Sequence, residues 1–400
     1  MTAQESFASA MALEKEYDFE GAKKIYADLA ENAQDTVIQE KSRSRLEDMD
    51  DLIAEKAVYA RIDENARRVL SEIGLNISDY QVLMDLLMEA DAIDFESESA
   101  VFIPIKREYI DRCIEQCPRE WPGDPGLNTF GTGATPPFLK RPGSDDLRQA
   151  DRSEFEEIAR AVGEHSDVVG IFSLPVATDK SVSAFEVAQI MEKHFPGFKM
   201  TTTKGMSDDE ISFLKGKEHW VDGTSLITSL TPMSTMVDAF LRSCRCGHNL
   251  LLLDLTIAGS SGPGSPEALL TQIHAQVLFM MVVAQTVNPG VFCMHGGIPG
   301  VTEAGGDLSY SSPHQPLSNA AMARVNTWIT GLPSAQSGGA TTLPELTQEA
   351  ILESELSRNL MRKYGVHIVR HAFGILGSLN FFSLEKFLVD CERERNVLQQ

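Results

Sequence analysis

The chain has 400 residues, 42% of them hydrophobic, which is enough to bury a large core and fits one large domain with an N-terminal extension better than two independent domains. Its 58 acidic residues against 35 basic ones set a net charge of -23, which repels nucleic-acid phosphates and anionic lipid surfaces alike, so neither nucleic acid nor membrane is expected as a partner. The first residues, Met1 to Ser6, lack the basic and then apolar pattern of a secretory leader, and the longest apolar run, Val277 to Ala284, is too short to span a bilayer; a cytoplasmic protein is expected.

Residues 1 to about 60 are acidic and helix-prone, with Phe19, Ala22, Ile25, Tyr26 and Leu29 forming an apolar stripe at helical spacing, which reads as a solvated helix lying on the domain. A helix ending at Gly74, a second opened by Ser78, a hairpin around Ile93 to Ile105 and a helix through Cys117 follow. Residues 1–125 are thus expected to form an N-terminal extension and cap.

From Leu127 onward the pattern turns regular, each short apolar or β-branched run being followed by a small-residue loop and then an amphipathic helix. The predicted strands are 127–131, 167–173, 198–203, 224–229, 249–255, 290–295, 333–338 and 366–371, with helices beginning near 151, 183, 207, 234, 265, 318, 344 and 383. Asp151 to Glu154, Ser183 to Glu186 and Ser207 to Glu210 each set a capping oxygen three residues before a Glu, and Pro266 after Ser265 opens the fifth helix. Eight such units over 126–400 predict a (β/α)8 barrel, with an open doubly wound sheet as the alternative. The fifth helix is apolar all round from Val277 to Ala284, so it is expected to pack against another subunit or the cap, which would make the protein a homo-oligomer in the first case.

A barrel of this kind carries its site on the loops after the strands. Those loops hold no paired carboxylates, no Ser/His/Asp motif and no phosphate-gripping Gly-Lys-Ser/Thr. His295, Gln336 and His371 are the candidates to orient or act on a ligand, each read against a plain structural role. Phe130, Phe172, Tyr310 and Phe373 could offer faces to a cation, Lys204 could meet a carboxylate, and Gly259, Ser260, Ser261, Gly338 and Gly339 let a large ligand approach the backbone. The six cysteines, at 113, 117, 244, 246, 293 and 391, include two close pairs that make a weak zinc or disulfide pattern without matching His or Cys partners, so buried or idle thiols and no bound metal are expected.

The run Ala258-Gly259-Ser260-Ser261-Gly262-Pro263-Gly264, through Ala275, Ala284 and Gln285 to Asn288-Pro289-Gly290, resembles the trimethylamine:corrinoid methyltransferase family. Further similarity lies at Ala66 to Gly74, Pro104 to Pro118, Gly338-Gly339, Gly374 to Leu376 and Ser383 to Lys386. The resemblance implies a (β/α)8 barrel that moves a methyl group from a methylated amine to the cob(I)amide of a partner corrinoid protein. Trimethylamine-specific members carry pyrrolysine in the loop after strand seven, where this sequence has Ala340 followed by Thr341-Thr342-Leu343-Pro344, so the resemblance points to a member without pyrrolysine, of the kind that acts on glycine betaine or another quaternary amine. A pterin-dependent methyltransferase, with Asn128 and Asp254 as the ring contacts, and a non-catalytic binding barrel are the alternatives.

Overall fold

The computed structural model describes residues 2–94, 101–121, 123, 126, 129–144, 146–302, 308–310 and 312–399. Among the described residues, eight strands of the two main sheets alternate with helices along the chain: β1 (Thr129–Phe130), β2 (Ile171–Ser173), β3 (Phe198–Thr201), β4 (Trp220–Thr224), β5 (Asn249–Ile257), β6 (Cys293–Gly300), β7 (Ala335–Ser337) and β8 (Ile368–Arg370). They form a five-stranded sheet, β6-β5-β4-β3-β2, and a three-stranded sheet, β7-β8-β1. Single bridges link Gly131 to Ile171 and His295 to Ser334, so β1 runs on toward β2 and β6 toward β7. Ile368 of β8 pairs with Thr129 of β1. No neighbour in this order skips a strand, which an open doubly wound sheet would require.

Side chains from alternate positions of these strands meet in one cluster: Ile171, Met200, Val221, Leu251, Met294, Ala335 and Ile368, closed by Trp121 and Phe292. Residues of opposite parity face the helices. β2, β4, β5, β6 and β8 carry apolar residues on both sides, as sheets covered on two faces do.

Helices α6 (Arg152–Glu164), α7 (Ala184–His194) and α8 (Asp208–Ser212) open on the three predicted capping boxes, at Asp151, Ser183 and Ser207. After them come α9 (Ser234–Cys246), α10 (Pro266–Val287), α11 (His314–Arg324), α12 (Gln348–Lys363) and α13 (Leu384–Leu398). The fourth strand departs from expectation. It runs over Trp220–Thr224 and not 224–229, because Asp222 and Gly223, residues disfavoured in strands, are held there by tertiary contacts, while Ile227–Thr228 belongs to a small hairpin with Thr231–Pro232.

Helix α10 is long and apolar enough to cross a membrane by length and composition, and it is buried inside the protein. Its apolar surface packs against Leu70, Leu83, Leu87, Ile110 and Cys113 of the N-terminal segments, so the chain itself covers the face that suggested a second subunit. Those segments are α4 (Gln81–Glu89), α5 (Arg107–Gln116) and the end of α3 (Thr36–Arg68) with its π-helical extension Val69–Ile73. Among the described residues, the predicted hairpin supplies one strand, Phe102–Ile103, whose antiparallel partner is the more distant Leu75–Asn76. Upstream, α1 (Ala3–Lys15) and α2 (Phe19–Asn32) join α3 through Ala10, Phe19, Ala22, Tyr26 and Met49. Tyr17 stacks on Trp328 at 5.7 Å, so this part is a packed bundle seated on the domain, and not one solvated helix.

Candidate active site

At the C-terminal ends of β7 and β8, three side chains form a hydrogen-bonded chain. The Ser337 hydroxyl lies 2.8 Å from His371 Nδ1 and 3.0 Å from the Tyr310 hydroxyl. All three are buried. Ser337 stands two residues beyond Ala335 and Arg370 two beyond Ile368, so both continue the inward-facing rows of their strands. His371 breaks the row: its φ of 63° puts it in the left-handed region, a cost for a non-glycine residue that clusters at functional positions. Burial, and then the Arg370 charge, hold its imidazole well below the ordinary histidine range, so it is a neutral hydrogen-bonding group.

Arg370 was not among the candidates read from sequence. It is only 7% exposed, its buried Nε has no partner, and among the described residues no carboxylate pairs with its guanidinium. Burial pulls its pKa down to about 10. A charged group withdrawn from water without a counterion is costly, so the position demands an explanation outside folding.

The other aromatic candidates lie on the helix side of the strands. Phe130 sits under the Arg362 guanidinium at 4.8 Å, Phe172 lies between Phe155 and Phe195, and Phe373 packs on Phe387. Phe130 and Phe172 have the parity of Leu250, Leu252 and Val369, Phe373 lies beyond the end of β8, and all three share one buried apolar cluster with Tyr310. Lys204 is exposed on the loop after β3. Gln336 is buried, donates to Ser334 Oγ at 2.9 Å and leaves Oε1 without a partner.

The glycine candidates divide in two. A Cβ on Gly339 would meet the Ala372 oxygen at 2.6 Å, and one on Gly338 would meet Met361 at 2.5 Å, so these two glycines serve close packing of the β7 and β8 loops. Gly259, in contrast, has φ +70° and open space around it, and with exposed Ser260 it stands at the rim beyond β5; Ser261 ties that loop down, its hydroxyl accepting from Ile257 N–H at 2.9 Å. Asp254 is buried against α10, accepting from Thr256 Oγ at 2.8 Å, and Asn128 lies outside the described residues.

His295 faces the helices too, and its surroundings decide its protonation. Gly297 N–H donates to His295 Nδ1 at 3.2 Å, leaving the proton of the neutral ring on Nε2. That proton goes to His274 Nδ1 at 3.1 Å, and His274 Nε2–H goes to Asp63 Oδ1 at 2.9 Å. Burial holds His295 well below its ordinary pKa, and Asp63, despite burial, is lowered to about 2 by His274 and Arg67. The relay thus joins β6, α10 and α3 in one fixed tautomer. Its signal in the sequence, an Asp 211 residues before its His partner, has no local spacing to reveal it.

Comparison with known proteins decides the family, since residues 21–400 match the model for trimethylamine methyltransferase (MTTB). The chain belongs to the trimethylamine methyltransferase family. Among members of wider kinship, it is 25% identical over 358 residues to glycine betaine methyltransferase of Desulfitobacterium hafniense (strain Y51), covering 83% of this chain and 74% of that one. The monomethylamine methyltransferase MtmB of Methanosarcina barkeri superposes with a TM-score of 0.52 at 10% identity, over 85% of this chain and 72% of that one, a likeness of fold.

Proposed function

We propose that this family member is an enzyme that transfers a methyl group from a quaternary amine or betaine to the cob(I)amide of a partner corrinoid protein, on a closed (β/α)8 barrel of residues 126–400 capped by residues 1–125. The observation that carries the reading is the Tyr310, Ser337 and His371 chain at the C-terminal ends of β7 and β8. The bridges at Gly131 and His295 support closure of the barrel around it.

When a quaternary ammonium gives up a methyl group, the C–N electron pair stays on nitrogen and a neutral tertiary amine leaves. No proton has to move in that step, so the site must position the donor and exclude water, and needs no acid-base pair. Neutral His371, locked to Ser337, suits this better than an imidazolium would, because it adds no charge against the substrate cation. Tyr310 supplies an aromatic face to that cation from the loop before α11. The reduced corrinoid, held by its own protein, would supply the nucleophile. On this chain the rim at Gly259 and Ser260 offers open backbone with no side chain beneath an approaching flat ring, whereas Gly338 and Gly339 are filled by packing and take no part.

The test is an anaerobic assay with free cob(I)alamin and a panel of betaines and tetraalkylammonium ions, read as methylcobalamin absorbance. Formation with at least one quaternary amine is expected. Absence of product with every donor overturns the reading.

A further inference from the structure

We infer that Arg370 is the anchor for a substrate carboxylate, and that it sets the direction in which the methyl group is presented. The inference rests on the methyl-transfer reading above and narrows its substrate class to zwitterions, in which an anionic carboxylate and a quaternary ammonium share one small molecule.

Four observations converge. Arg370 lies on the inward-facing row of β8, two residues beyond Ile368 of the barrel core, at the end of the strand where the mouth opens. It is buried, and its Nε has no hydrogen-bond partner. Among the described residues no Asp or Glu pairs with it, although Arg358, the other buried arginine, and the half-buried Arg362, Arg324 and Arg67 all have carboxylate partners. Its neighbours from the adjoining elements are Tyr310 and His371, neither of which carries negative charge: burial raises the Tyr310 phenol to about 12, and His371 is neutral. A planar guanidinium with free donors in such a place fits a carboxylate by two parallel N–H···O bonds.

The orientation follows from charge. A quaternary ammonium is repelled by Arg370 and gains nothing at that depth, whereas the carboxylate of a zwitterion is drawn to it. Once the carboxylate is seated on β8, the ammonium end must point away from the guanidinium, along Tyr310 and out toward the mouth. The transferable methyl groups then face the side from which a protein-borne acceptor arrives. Choline and tetramethylammonium lack the anion and would leave the guanidinium unpaired.

Calorimetry on the full chain tests this without turnover. The probes are glycine betaine, its methyl ester and choline, and the variants are Arg370→Met, which removes the charge, and Arg370→Lys, which keeps it but loses the fork. Wild type is expected to bind the acid about 100-fold more tightly than the ester or choline, and Arg370→Met to lose that factor while binding the ester unchanged. Arg370→Lys should fall between them. Because no described carboxylate pairs with the native charge, the ligand-free Arg370→Met protein should melt at or above the wild-type temperature, which a structural role would forbid. Equal binding of acid and ester by wild type, or undiminished acid binding by Arg370→Met, overturns the assignment. If acid-selective, Arg370-dependent binding is found with no methyl transfer, the anchor stands and the transfer reading alone fails.

Discussion

His274 Nδ1 stands 3.1 Å from His295 Nε2, and this contact, continued to Asp63, binds β6 through α10 to the N-terminal helix α3. A carboxylate held at about 2 in the folded chain and at its ordinary value when unfolded contributes stability that is complete above pH 4 and is lost as pH falls through 2. Asp63→Asn should therefore destabilise the protein by about 2 kcal/mol at pH 7, through the lost charge-assisted bonds, and by progressively less toward pH 2. Urea denaturation across that range measures it. An equal loss at every pH would separate the effect from the relay's electrostatics.

The neutral histidines predict a second acid-sensitive limb. His295 and His371 are both held well below the ordinary value by burial, so the unfolded chain takes up protons first as pH falls below about 6.5. Stability present at pH 7.5 is expected to decline steadily between pH 6.5 and 5. Replacing His295 with Gln, which cannot be protonated, should flatten that decline. A denaturation midpoint independent of pH over the interval, in wild type, contradicts the assignment.

Asp254 works in the opposite direction. Burial against α10 raises its carboxyl to about 7, with the Thr256 hydroxyl donating to it, so folding favours its neutral form. Its contribution is intact below pH 4 and is lost as pH rises through 7. Asp254→Asn should thus gain stability relative to wild type as pH climbs from 4 to 8, by an order of 3 kcal/mol at the upper end. The measurement is the difference in urea midpoint between the two proteins at each pH, and a constant difference would refute the shift.

Two glycines singled out for backbone approach should respond differently to alanine. Gly339→Ala pushes a methyl to within 2.6 Å of the Ala372 oxygen at φ +99°, and a loss of about 3 kcal/mol or outright misfolding is expected. Gly259→Ala meets open space and carries only the left-handed backbone cost, about 1 kcal/mol. Thermal melts of the pair rank them. Comparable melting temperatures would show that the β7 and β8 loops are looser than their packing indicates.

Tyr310 separates ring from hydroxyl. Tyr310→Leu, which removes the aromatic face, should weaken binding of a quaternary betaine about 10-fold, while Tyr310→Phe, which loses only the bond to Ser337, should change it less than about 3-fold. Equilibrium dialysis with labelled betaine reads both. The reverse ranking would assign Tyr310 to hydrogen bonding and not to the cation.

What the sequence determined by itself was everything that a few neighbouring residues can enforce. The capping boxes at Asp151, Ser183 and Ser207 open α6, α7 and α8 where their three-residue spacing predicts, and the alternation of strand and helix is legible for the same reason. The fourth strand was not, since Asp222 is tolerated in it only because Thr203 and Ser243, from β3's loop and α9, donate to its carboxylate. Nor could the sequence decide which side of a two- or three-residue strand faces inward, because strands covered on both faces carry apolar residues at both parities. Register decided that Phe130, Phe172, Gln336 and His295 face helices while Ser337 faces the mouth. It also turned Arg370, by sequence an ordinary charged residue at a strand end, into a buried guanidinium with no counterion among the described residues, because a charge is unpaired only relative to groups that tertiary folding brings, or fails to bring, within reach.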